Sequence, residues 1–156
     1  MACANGHVEI VRILLDQNAD NIEAKVASGW TPLHLAADCG HTGVAQLLMR
    51  RGGNLDARDE HGLTPLHIAC QSDQVEVVRL FLDQGANMEA STTNGWTSLH
   101  VACWDGHADI ACLLLDRGAD VKAVTKKDMS PLLLACKNNQ WEVAWLLLHR
   151  YPWLVQ

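Results

Sequence analysis

The chain has 156 residues, 49% of them apolar, with a formal charge of −6 and an isoelectric point near 5.7. That is enough to bury the core of one domain and too little for two comfortable ones. The acidic balance excludes a phosphate backbone as main partner, since such binding needs a basic face. No apolar run approaches the ~20 residues of a membrane helix, and the first residues lack the basic-then-apolar pattern of a signal peptide.

Self-similarity governs the rest of the chain. Thr31-Pro32-Leu33-His34 returns as Thr64-Pro65-Leu66-His67, Thr97-Ser98-Leu99-His100 and Ser130-Pro131-Leu132-Leu133, each time after 33 residues. A second apolar triplet recurs from Ile13-Leu14-Leu15 to Leu146-Leu147-Leu148, with a first interval of 34, so one extra residue, most simply Asn21, sits in the first loop. In chain order this predicts a partial unit at 1–24, with a lone helix at 7–16, and full units at about 25–57, 58–90, 91–123 and 124–156.

Each unit reads the same way. Thr or Ser caps a short helix opened by Pro, whose missing N–H costs nothing in the first turn. Leu33, Leu35, Ala36 and Ala37 give that helix a small, close-packing side. The chain then reverses at Gly6, Gly40, Asp73, Gly106 or Asn139, all tolerant of a left-handed backbone. A second helix such as Val75–Leu82 follows and is expected to end in a left-handed cap at Asn18, Gly52, Gly85 or Gly118. An extended stretch such as 54–58 and a turn at Gly29, Gly62, Gly95 or Asp128 lead to the next unit.

The Thr-Pro-Leu-His, Gly-His, Leu-Leu and Gly-Ala-Asp segments at fixed offsets resemble the ankyrin repeat, over essentially the whole chain. The resemblance implies an all-α solenoid with β-hairpin turns: a hairpin finger and two antiparallel helices per unit, stacked into a slightly curved, L-shaped array. One unit cannot bury its own apolar face, so neighbours stabilise one another. Asp73-Gln74 and Asn139-Gln140 replace Gly-His, Ser98 replaces Pro, and Leu133 replaces His, so the last unit lacks the imidazole bond to its turn. The missing Thr-Pro-Leu-His portion before Met1-Ala2-Cys3 reads as a cut from a longer array, with a natural cap at Tyr151–Val155 as the alternative at the other end.

Nothing in this pattern carries catalysis. Cys70, Cys103 and Cys136, with Cys3 at the equivalent place, recur with the unit and read as small, reduced, mostly buried thiols. Disulfides would need Cα atoms within about 7 Å, so a reducing cytoplasmic or nuclear compartment is expected. The histidines lack the short paired spacing of a zinc site, and the resemblance assigns His34, His67 and His100 to bonds that fix the turns. Asp16, Asp83 and Asp116 recur periodically, whereas a catalytic pair would be asymmetric. Phosphate-binding and nucleophile-elbow motifs are missing. The chain is therefore read as no enzyme, with no cofactor and no metal.

The resemblance places the free, partner-reporting positions at the finger tip and at the outer end of the first helix. Mapped here, Trp30 falls in this set, with Glu60, His61 and Leu63 in the next unit. Trp96, Trp104 and Asp105 follow, then Lys126, Lys127, Met129 and Lys137. Tryptophan, and to a lesser degree methionine, is enriched among interface anchors; Trp30 and Trp96 also read as packing against a neighbouring finger. Trp104 is expected at the exposed end of its helix, as the centre of the binding face. Lys122, Lys126, Lys127 and Lys137 form a basic patch that would steer an acidic partner rim. Cys112 and Trp145, which replace Arg12, Gln46 and Arg79, point to a back surface covered near the C-terminus, either by the tail or by further repeats. The function expected is a non-catalytic module that binds a protein or peptide through its concave, finger-side face, monomeric as an isolated domain and part of a longer chain, with no nucleic acid and no membrane. The rival is a structural spacer within a larger multi-repeat scaffold, channel or effector.

Overall fold

A computed structural model of the chain describes residues 2–155. Among them, nine α-helices follow in order: α1 (Val8–Gln17), α2 (Pro32–Asp38), α3 (Thr42–Arg50), α4 (Pro65–Gln71), α5 (Val75–Asp83), α6 (Ser98–Asp105), α7 (Ala108–Asp116), α8 (Pro131–Lys137) and α9 (Trp141–Arg150). Short 3₁₀ turns occupy Ala19–Glu23 and Pro152–Val155. After the lone α1, every helix pair opens at Thr31, Thr64, Thr97 or Ser130, each extended in backbone and each followed directly by the helix.

The residues gather into two compact units, Met1–Asn87 and Met88–Gln156. In the first, α2 packs on α4, while α3 packs on α1 and α5. Ala36, Ala37 and Ala69 are fully buried between the first helices, where a larger side chain would push them apart. Leu48, Leu66 and Phe81 fill the remaining core. In the second unit α6 packs on α8 and α7 on α9, around Leu99, Ile110, Leu114, Leu134 and Leu147. Each such buried leucine contributes roughly 2 kcal/mol by removal of apolar surface from water.

The fingers differ from expectation: among the described residues there is no β-strand. Each tip is a tight turn closed by two backbone bonds, such as Thr92 N–H to Trp96 O and Gly95 N–H to Thr92 O, both at 2.9 Å. Turns this short leave no room for the paired ladder that defines a strand. Asn18 also departs from the left-handed cap expected of it, with φ −151° and ψ 105°. The first loop is one residue longer, and the chain leaves α1 extended to make the 3₁₀ turn at Ala19–Glu23. The other reversals hold the left-handed backbone, including the non-glycines Asp73, Asn139 and Asp128.

Cys70 and Cys103 are buried, but Cys3 and Cys136 are only half-buried. Cys136 lies on α8, which has α6 against one side and no described first helix against the other. All six cysteines are free thiols.

Ser98 is the one first-turn position without proline, and its buried hydroxyl has no hydrogen-bond partner. Thr97 before it is extended, at φ −91° and ψ 170°, as a residue preceding proline must be. Ser98→Pro should therefore stabilise the protein by about 1–2 kcal/mol, by relieving the orphaned hydroxyl and restricting the unfolded chain. A rise in the urea midpoint at constant m-value checks this.

Candidate functional site

The site is built from two turns and two helix ends of the second unit. The 92–96 turn is closed by a side chain as well, with Thr92 Oγ1 accepting from Trp96 N–H at 3.1 Å. Its sequel at 125–129 uses Thr125 Oγ1 in the same way, accepting from Met129 N–H at 3.2 Å. The two turns are tied by Lys126 N–H donating to Asn94 O at 3.0 Å. His100 anchors the second turn from below: its Nδ1 accepts from Thr97 N–H at 3.2 Å, so Nε2 carries the proton and donates towards Ala123 O and Met129 O at 3.1 and 3.2 Å.

Between these turns and the ends of α6 and α8 lies a groove of about 290 Å³, lined by Asn94, Trp96, Trp104, Thr125, Lys126, Lys127, Met129, Leu134 and Lys137. The indoles of Trp96 and Trp104 meet edge to face, centroids 5.4 Å apart at 67°. Trp104 is therefore half-buried, not at a freely exposed helix end: Trp96 covers one side of it, as aromatic pairs prefer this offset geometry. Its carbonyl is also fixed, accepting from Asn138 Nδ2 at 2.9 Å and Gln140 Nε2 at 3.2 Å. Lys126, Lys127 and Lys137 are exposed along the rim.

Six of the sequence-selected residues, Trp96, Trp104, Lys126, Lys127, Met129 and Lys137, thus line one groove. Asp105 is not among its walls; half-buried at the end of α6, its carboxyl is raised above the usual range by burial. Trp30, Glu60, His61 and Leu63 belong to the first unit and serve a turn there. Trp30 Nε1 donates to Asp59 Oδ2 at 3.1 Å, and its ring stacks on His34 with centroids 6.2 Å apart. Asp59 Oδ1 accepts from the N–H groups of His61 and Leu63, both at 2.8 Å, and Leu63 O accepts from His34 Nε2 at 3.1 Å. Trp30 is held by the turn beside it. Glu60 and His61 remain exposed.

On the back surface, the tail does not supply the cover that was one of the two expected. Trp141 and Trp145 are each 65% exposed, and Trp145 stacks on its own helix neighbour His149 at 4.9 Å. The terminal 3₁₀ turn does not cover them; Trp153 instead sits beneath Lys122 Nζ, 4.5 Å from the ring centroid. Lys122 is not among the residues that line the groove with the other three lysines.

Sequence reasoning missed the bonds that lock neighbouring units. Glu23, Asp56 and Glu89 each accept the backbone N–H found 31 residues later, at Asn54, Asn87 and Asp120, at 2.7–3.0 Å. Their recurrence at intervals of 33 was the available signal. Gln74 and Gln140, read only as departures from Gly-His, donate to Asp38 O and Trp104 O, as His41 does to Ala4 O.

Burial holds the imidazoles of His34 and His100 below the ordinary histidine value, and pushes the Cys103 thiol up to about 12, so it stays protonated. With a folded pKa below the unfolded one of about 6.5, the unfolded chain binds more protons in the interval between them. Stability is thus full above pH ~6.5 and should fall as the pH drops through the folded values. Urea midpoints at pH 7.5, 6.5 and 5.5 should decline in that order, and less steeply in His100→Gln. Among the described residues no cluster of histidine, cysteine and acidic side chains is placed to hold a metal ion. No helix there is long and apolar enough to cross a membrane.

Comparison with known proteins agrees with this architecture. The family model for ankyrin repeats (three copies) matches residues 1–59 and 42–125. A human relative, ankyrin repeat and KH domain-containing protein 1, is 40% identical over 52 residues, which is 33% of this chain and 2% of that protein. The chain thus spans only a small fraction of that relative's length. With the repeat model matched over most of its residues and helix pairs recurring every 33 residues, the chain belongs to the ankyrin-repeat family.

Proposed function

We propose that this chain is a non-catalytic, protein-binding module whose contact surface is the groove of the second unit, with Trp104 as its central anchor. The observation that carries this reading is the Trp96–Trp104 pair, edge to face at 5.4 Å in an open groove. An indole already positioned by a neighbour surrenders little entropy on binding, and it offers about 150–250 Å² of contact area. At the same place the other units carry Ala4, Asp38, Gln71 and Lys137, none of which makes a comparable anchor. Members of the family generally mediate protein–protein interactions. On this reading the module works as a monomer in a reducing compartment, cytoplasmic or nuclear, with the turns of the first unit as supporting structure.

The test uses binders selected from a peptide display library. Trp104→Ala should weaken their binding by at least about 30-fold, corresponding to roughly 2 kcal/mol. Because the ring also touches Trp96, the same change should lower stability by about 1 kcal/mol. Trp141→Ala, outside the groove, should leave affinity unchanged. Binders indifferent to Trp104 would favour the spacer reading.

A further inference from the structure

The chain as a whole carries −6, yet the walls of this groove include three lysines and no acidic side chain. Its interior is apolar, with Leu134 buried at the bottom between the indoles and Met129. Lysine heads at an apolar groove keep their charge in water while their stems line the wall. We propose that the groove takes an acidic peptide segment, seating one medium-sized apolar side chain against Trp104 and its flanking carboxylates on Lys126, Lys127 and Lys137. This rests on the protein-binding reading above and specifies its partner.

Size and charge limit the occupant. About 290 Å³ lies at the bottom of the range for small-molecule pockets and accommodates one or two side chains, not a folded element. The backbone that carries Lys126 is set before any ligand arrives, because its N–H is bonded to Asn94 O at 3.0 Å. Three lysines in an otherwise acidic protein neutralise a few carboxylates but cannot track a nucleic-acid backbone, whose binding needs a continuous basic face. Asp128, exposed beside Lys127 at the turn tip, further opposes an extended polyanion. Complementary charge of this kind sets partner choice and association rate more than it sets affinity.

The experiment titrates the 156-residue chain with a capped seven-residue peptide that has a central leucine between triplets of Asp and Glu, reading tryptophan fluorescence and calorimetry. Parallel titrations use the same peptide with lysine flanks, with a central serine, and an oligothymidylate of eight nucleotides. The acidic leucine peptide should bind at least tenfold more tightly than either peptide control, and should weaken several-fold between 50 and 300 mM salt. The triple variant Lys126→Glu/Lys127→Glu/Lys137→Glu should reverse the preference for acidic over basic flanks, and Lys→Gln at the same positions should abolish it. All three side chains are exposed, and an unchanged urea midpoint will show that the fold is kept. Equal binding of acidic and basic peptides, no binding of the acidic peptide at millimolar concentration, or tighter binding of the oligonucleotide would overturn the proposal. So would a concentration-dependent dimer abolished by Trp104→Ala, which would make a second copy the occupant. If display-selected binders depend on Trp104 but are basic or uncharged, the acidic occupant fails while the protein-binding module stands.

Discussion

Replacement of His100 by alanine is expected to destabilise the protein by about 4 kcal/mol, measured as a lower urea midpoint. The ring is fully buried and joins three segments: it accepts from Thr97 N–H and sends its proton towards Ala123 O and Met129 O. Truncation leaves Thr97 N–H and Ala123 O without this partner, while Met129 O keeps its bond from Thr125 N–H, and each buried orphan costs about 1–3 kcal/mol. The space left by the ring adds a cavity cost. The last unit supplies the contrast, because Leu133 stands at the equivalent position and is 47% exposed. Leu133→Ala should therefore change stability by less than about 0.5 kcal/mol. His100→Ala should also loosen the 125–129 turn, so Met129 and the lysines beside it would lose their fixed positions at the groove.

Gly106→Ala should be nearly as damaging, at about 2–3 kcal/mol. Gly106 ends α6 in the left-handed region, at φ 85° and ψ 20°, where a Cβ costs about 1–2 kcal/mol by itself. That Cβ would also stand 2.5 Å from the amide carbon of Gln140. Gln140 would have to swing away, giving up its bond to Trp104 O, worth roughly another 1 kcal/mol. Gly118 has a similar φ of 88°, but a Cβ there would meet nothing within 4 Å, so Gly118→Ala should show the backbone cost alone. In Gly106→Ala/Gln140→Ala the two losses should be less than additive, since the side chain that obstructs is already gone.

Helix order, the lone first helix and the reversals were legible in the sequence because they repeat. A residue such as Asp73 or Asn139 at a glycine position declares a left-handed backbone when four glycine-like neighbours share its register. Asn18 misled because its register is broken by the extra residue after it, and local chain length overrode the preference of its side chain. The hairpins misled for a different reason: turn residues specify a reversal, but strand pairing needs length on both sides. For the groove, the sequence picked out the tryptophans and lysines as exceptions to the repeat. It could not show that Trp96 lies against Trp104, since their eight-residue separation crosses a helix cap. Nor could it show that Trp30, equivalent to Trp96 in register, is committed to Asp59. The same residue at the same repeat position serves two purposes, according to what its neighbours offer.

The bonds between adjacent repeats have a direction. Glutamine at the head of a second helix closes the first helix of the unit before it, as Gln140 does for Trp104 and Gln74 for Asp38. A unit is therefore left unfinished until its successor exists. On the ribosome, at about 5–20 residues per second, the Trp104 carbonyl would wait some 2–7 seconds for Asn138 and Gln140 to be made. During that wait two large aromatic rings would have no settled groove around them. A nascent-chain arrest series should show the edge-to-face pair becoming protected from solvent only after residue 140 has cleared the exit tunnel, and the chain would offer its most adhesive surface before that point.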